Sequence, residues 1–99
     1  MQKYLNDLTQ EDFILIEELA SYFFTPREIS VMVEMDPQTA VDLIFSGDNT
    51  FYNAFQKGRL QSEMELRKSI IKLARAGSSP AQTMSLDLLN KSKIKMIDR

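Results

Sequence analysis

Residues 25–44 read TPREISVMVEMDPQTAVDLI, and the fold turns on how that stretch is punctuated. Thr25-Pro26-Arg27-Glu28 has the form of a capping box. A hydroxyl stands three residues ahead of a carboxylate, and proline takes the first helical position, where its missing N–H costs nothing. Asp36-Pro37 repeats the device with aspartate as the cap. Two short helices are therefore expected to meet across a tight turn. Ile29, Met32 and Val33 supply the buried face of the first; Thr39, Ala40, Leu43 and Ile44 continue the second. Ile29, Val33, Met35, Ala40 and Ile44 fall where a helix–turn–helix needs packed apolar residues, the arrangement that holds its second helix up to the DNA major groove.

The outward positions of that second helix are Gln38, Thr39, Asp42 and Val41. Glutamine can address adenine, threonine a phosphate or thymine methyl, and aspartate can accept from cytosine. The charge of the stretch opposes this use. Glu34, Asp36 and Asp42 lie near where phosphates would run, and Arg27 is the only cation. Phosphate neutralisation dominates most DNA affinity, so this helix alone is expected to bind poorly. Many such motifs also place glycine where Glu34 stands, so the turn is expected to differ. A three-helix packing unit that touches no DNA fits the stretch as well.

Upstream, Thr9 precedes Gln10, Glu11 and Asp12, and Phe13, Ile16, Leu19, Ala20 and Phe23 keep helical spacing to about Phe24. Gly47 can supply a left-handed stop after the third helix. Residues 1–48 thus read as a compact three-helix unit. A fourth helix is expected from an Asp48/Asn49 cap to Ala76, stopped by Gly77, about 40 Å at the standard rise. Phe51, Phe55, Gly58, Leu66, Ile70 and Leu73 form one apolar face of it; Leu60, Met64, Ile71 and Ala74 form another. Two faces exceed the single stripe of a surface helix, so packing on a neighbouring copy is expected. Tyr22, Phe23, Phe24, Phe51, Tyr52 and Phe55 read as core joining the first and fourth helices. Ser79-Pro80-Ala81-Gln82 is a further capping box, opening a last helix with Met84, Leu88 and Leu89 inward. The short turn AGSSPA makes residues 49–99 an antiparallel helical hairpin, whose tail KSKIKMIDR is expected to fray. The expected fold class is all-α.

Charge divides the chain. Residues 1–50 hold ten acidic and two basic residues, whereas residues 51–99 hold four acidic and ten basic. The acidic front can attract the basic back of another copy, and the basic half can meet nucleic acid or an acidic partner. Arg67, Lys68, Lys72 and Arg75 recur as one stripe on the long helix: a solvated face, a DNA-tracking surface, or a dock for the acidic unit of the next subunit.

The absence of cysteine and histidine removes disulfides, thiol nucleophiles, imidazole catalysis and Cys/His zinc sites. No carboxylate sits in a motif with a partner acid, base or metal spacing, and no glycine-rich phosphate loop occurs. A non-enzyme without cofactor or metal is expected. MQKYLNDLTQEDF lacks the apolar core of a signal peptide and no aliphatic run is long enough to span a membrane, so a cytoplasmic protein without membrane contact is expected.

The order of a helix–turn–helix unit, then FYNAFQKGRLQSEMELRKSIIKLARAGSSPAQTMSLDLL (residues 51–89), resembles the phage terminase small subunit. The likeness covers roughly residues 10–95 and is one of order and spacing. It implies a ring-shaped homo-oligomer assembled by the hairpin, binding double-stranded viral DNA and delivering it to the large terminase subunit, which holds the ATPase and nuclease, in the host cytoplasm. Candidate DNA contacts are then Arg27, Gln38, Thr39 and Asp42, with Lys57 and Arg59, although the gap at Gly58 between the last two suits close helix approach. Candidate interface residues are Leu60, Met64, Arg67, Ile71, Lys72 and Arg75. Two other readings remain: a transcriptional regulator using the same motif as a dimer, and an interaction adaptor that binds no DNA.

Overall fold

The first backbone N–H groups of a helix lack intrahelical acceptors, and in this chain polar side chains take that role at the start of each α-helix. The computed structural model describes residues 2–97. A 3-10 turn (Leu5–Asp7) leads into α1 (Gln10–Ser21), α2 (Pro26–Met32), α3 (Pro37–Ser46), α4 (Thr50–Arg75) and α5 (Ser79–Ile97). The protein is all-helical: among the described residues the only extended pairing is an isolated parallel bridge between Lys3 and Met35.

Thr9 Oγ1 accepts from Asp12 N (3.2 Å) while Asp12 Oδ2 accepts from Thr9 N (2.9 Å), closing the box at α1. Thr25 and Glu28 do the same at α2, with distances of 3.2 and 2.9 Å. Asp36 accepts from Thr39 N at 2.9 Å and Asn49 from Tyr52 N at 2.8 Å, opening α3 and α4. The expected box at α5 is displaced by one residue. Ser78, not Ser79, accepts from Ala81 N (3.4 Å), and Gln82 instead donates to the carbonyl of Ala74 near the end of α4 (3.1 Å).

Three helices end the same way, in a Schellman motif with one residue in the left-handed conformation. Phe24 N donates to Leu19 O, Met35 N to Ser30 O and Ser78 N to Leu73 O, at 3.2, 2.8 and 3.1 Å. The left-handed residues are Phe23 (φ 67°), Glu34 (φ 62°) and Gly77 (φ 103°). Only the last is glycine; a side chain there costs about 1–2 kcal/mol. This corrects two expectations. α1 stops at Ser21 rather than near Phe24, because Phe23 takes the turn without a glycine to announce it. The α2–α3 turn keeps the left-handed backbone that glycine would give, with Glu34 adopting it. Lys3 N donates to Glu34 O at 2.7 Å and so steadies that turn. α3 ends on left-handed Gly47 as expected.

The chain forms two compact units, Met1–Ser62 and Glu63–Arg99. The first therefore extends past the 1–48 segment marked by sequence, because the early part of α4 completes its core. Ile16 and Ala20 of α1, Ile29 and Val33, Met35, Ala40 of α3, and Phe51 and Phe55 of α4 form one buried cluster, with Leu5, Leu8 and Leu43 packed against it. Met32 does not join it: as the last residue of α2 it faces solvent. Tyr22, Phe23 and Phe24 are likewise exposed rather than core, since they lie beyond the end of α1.

In the second unit Ala81 of α5 is buried, with Ser85 and Leu88 half-buried. These share a stripe at spacings of four and three. Met84 and Leu89, expected inward, fall off that stripe and are exposed. The tail remains helical through Ile97, and its last two residues, 98 and 99, lie outside the described residues.

Gly58 is buried against α1: a methyl there would collide with the backbone carbonyl of Glu17 and sit 2.9 Å from the Ala20 side chain. Glycine to alanine within an exposed helix stabilises by about 1 kcal/mol, but a backbone clash reverses the sign. Gly58→Ala should lower unfolding free energy by about 3 kcal/mol or more in urea denaturation. Glu34→Gly should raise it by about 0.5–1 kcal/mol, the relieved left-handed strain less the added entropy of the unfolded chain.

Candidate functional site

The surface on which a DNA-reading function would depend is built from the start of α2 and the outward side of α3. Proline at the first position of each helix and the caps Thr25 and Asp36 fix the two starts. α2 and α3 pack directly on one another. Across them Arg27 Nη2 donates to Gln38 Oε1 at 2.9 Å, and Gln38 Nε2 donates to Asp42 Oδ1 at 3.0 Å. Three of the candidate DNA contacts thus form a single exposed chain, running from cation to amide to carboxylate. Thr39 stands apart. It is half-buried, and its hydroxyl donates to Asp36 Oδ2 at 3.0 Å beside its own backbone N–H. Its side chain serves the cap.

Lys57 and Arg59 are held by other elements. Lys57 Nζ lies 3.7 Å from Glu17 Oε1 on α1. Arg59 Nη2 donates to Phe24 O at 3.1 Å, and its guanidinium carbon sits 4.8 Å from the Phe55 ring centre and 5.7 Å from that of Phe23. Such stacking is worth about 0.5–2 kcal/mol according to its exposure. It fastens the α1–α2 connection, where Phe23 carries backbone strain. Arg59 Nε is buried and has no hydrogen-bond partner among the described residues.

Of the candidate interface residues, Leu60, Met64 and Ile71 are exposed apolar side chains, although each lies within a helix. Arg67 reaches Glu63 at 3.9 Å, both side chains about half exposed. Among the described residues no carboxylate lies within ion-pair distance of Lys72 or Arg75, which occupy the last turn of α4, where the helix dipole favours cations.

Sequence reasoning passed over a shallow apolar cleft of about 380 Å³ lined by Thr25, Pro26, Arg27, Val41, Ile44 and Phe45. Phe45 is 86% exposed at its rim. Its signal was present in the phase of α3: Val41 and Phe45 are four apart and lie off the stripe of Ala40, Leu43 and Ile44. No group of three or more metal-ligating side chains occurs among the described residues, and no helix is long and apolar enough to cross a membrane. No protein-family model, known protein or solved structure matches the chain.

Among the described residues two carboxylates are displaced from their ordinary acidity, both in capping boxes. The Thr25 backbone N–H, then its hydroxyl, favour ionised Glu28 and pull its pKa down. The Thr9 backbone N–H chiefly lowers Asp12, helped by Lys3 at 3.2 Å and opposed by partial burial. A carboxylate whose native pKa is depressed adds stability in full above its unfolded value and loses it as pH falls through the native value. Thermal midpoints should therefore fall as pH drops below about 4. Glu28→Gln should keep the α2 cap near neutral pH, since glutamine also accepts from Thr25, yet flatten that acid limb. A slope unchanged in both Glu28→Gln and Asp12→Asn would show that other groups set it.

Proposed function

We propose that the chain is a non-catalytic DNA-handling subunit of the terminase small-subunit type, in which the α2–α3 pair acts as a helix–turn–helix and the α4–α5 segment as an assembling hairpin. The observation that carries this reading is the α2–α3 connection. Glu34 holds the left-handed backbone that glycine usually supplies in such turns, which supports reading the pair as this motif although the glycine is missing. The exposed apolar residues of α4 support the second half of the reading, because a two-helix unit with Met64, Leu66, Ile71 and Leu73 exposed gains stability by covering them with another copy. On this reading the assembly collects double-stranded DNA and passes it to a large subunit carrying ATPase and nuclease, in the host cytoplasm.

A specific observation favours the adaptor as the second reading. Arg27, Gln38 and Asp42 already satisfy one another, and Glu34 and Asp36 add negative charge beside them. DNA must break that chain to recruit Arg27. Affinity per copy is then low, and useful binding requires many copies at once.

The test combines native mass with binding of a labelled duplex at two salt concentrations. The terminase reading expects more than four subunits, and binding that weakens with salt. Arg27→Ala should weaken all sequences alike and reduce the salt slope by about 1 for each contacting copy. A dimer that prefers a palindrome points to a transcriptional regulator instead. Absence of salt-dependent binding leaves the adaptor.

A further inference from the structure

α1 and α4 each carry an exposed outer face, and the two faces are complementary. On α1, Glu11, Ile14 and Glu18 follow at spacings of three and four, opposite the buried Ile16 and Ala20. Ile14 is 57% exposed, and neither glutamate has a cation within ion-pair distance among the described residues, because Lys3 is taken by Asp12 and Lys57 by Glu17. On α4, Met64, Arg67, Ile71 and Arg75 follow at spacings of three, four and four and are all exposed; Arg67 lies 3.9 Å from Glu63 of its own helix, and Arg75 has no carboxylate within ion-pair distance among the described residues. Met64 is 49% exposed. One stripe alternates acid and apolar, the other base and apolar. Their neighbourhoods follow suit, with ten acids against four bases in residues 1–62 and four against eight in residues 63–99.

We infer that the α1 face of one copy docks on the α4 face of a second copy, Ile14 lying against Ile71 while Glu11 and Glu18 meet Arg67 and Arg75. The contact is heterologous, joining different patches on the two copies, so it propagates to a closed ring or an open filament rather than stopping at a dimer. Apolar residues at three- and four-residue spacing on both helices give the interdigitating rows of helix packing, and the charges set which faces meet. This inference deepens the assembly half of the proposed function and rests on it.

The experiment measures native mass of the full chain and two charge-reversed variants, Glu11→Lys with Glu18→Lys, and Arg67→Glu with Arg75→Glu. All substituted positions are exposed, and circular dichroism checks that helicity is retained. Wild type is expected to assemble, and each variant alone to fall to the mass of one 11.4 kDa chain. Mixing the two variants should restore the assembly, because each junction then pairs opposite charges again. Variants that keep the wild-type mass, or a mixture that stays monomeric, overturn this docking while leaving assembly by another surface in place. A wild type that is monomeric at every concentration and salt overturns the docking and the assembly reading together.

Discussion

At Gly58 the backbone of α4 runs against Glu17 and Ala20 of α1 with no room for a methyl group, and the rest of the first unit is arranged around that approach. It brings Phe51 and Phe55, on the same side of α4, into the cluster built by Ile16, Ala20, Ile29, Val33 and Ala40. It also brings the next turn of α4 to the end of α1. There Ser62 Oγ donates to Ser21 O, and Arg59 donates to Phe24 O while stacking on Phe23. Phe23 can hold a left-handed backbone because α4 fastens the turn from outside. The start of α2, two residues further on, inherits its position from that clamp. A contact with no polar chemistry of its own thus sets where the α2–α3 pair begins.

Helix starts were legible because their chemistry is local. A hydroxyl or carboxylate three residues from the N–H it accepts can be read from spacing, and Thr9, Thr25, Asp36 and Asn49 all act as the spacing expects. Helix ends were legible only where glycine marked them, at Gly47 and Gly77. Phe23 and Glu34 adopt the same left-handed turn under tertiary constraint, which no local rule records. One misplaced end carried an error with it: counting Phe23 into α1 put three exposed aromatics into the core. At α5 two adjacent serines offered the same cap and the first takes it, while the inward stripe is Ala81, Ser85 and Leu88, with Leu88 as expected and the larger Met84 and Leu89 off it. Large apolar residues attract an inward assignment, and here small ones occupy the contact.

The candidate site was legible as a set of residues but not as a set of bonds. Arg27, Gln38 and Asp42 were all identifiable as outward, yet nothing in their spacing shows that they satisfy one another across two helices. Arg59 looked like a free cation beside a glycine; it is an internal fastener, since the carbonyl and rings that hold it lie 35 and 36 residues away for Phe24 and Phe23 and one turn away for Phe55. Exposed charge in a sequence is only a possible contact until its neighbours are known.

The proposed docking is incompatible with the α4 basic stripe serving as a DNA-tracking surface. Arg67 and Arg75 cannot face acids of a neighbouring copy and phosphates at once, so an assembly held through them withholds both from the nucleic acid. Its DNA affinity must then come from Arg27 and from what is presented with it on each copy. One neutralised phosphate contributes a salt slope near 0.9, too little for stable binding by a single chain. Several copies along one duplex add their slopes and raise the effective concentration of each next contact, provided the spacing of copies matches the helical repeat of the DNA. A weak, partly self-satisfied contact suits such use, because every copy can release while others hold. The acidic second helix is then compatible with a protein that tracks DNA collectively, and incompatible with one that must recognise a site as a single copy.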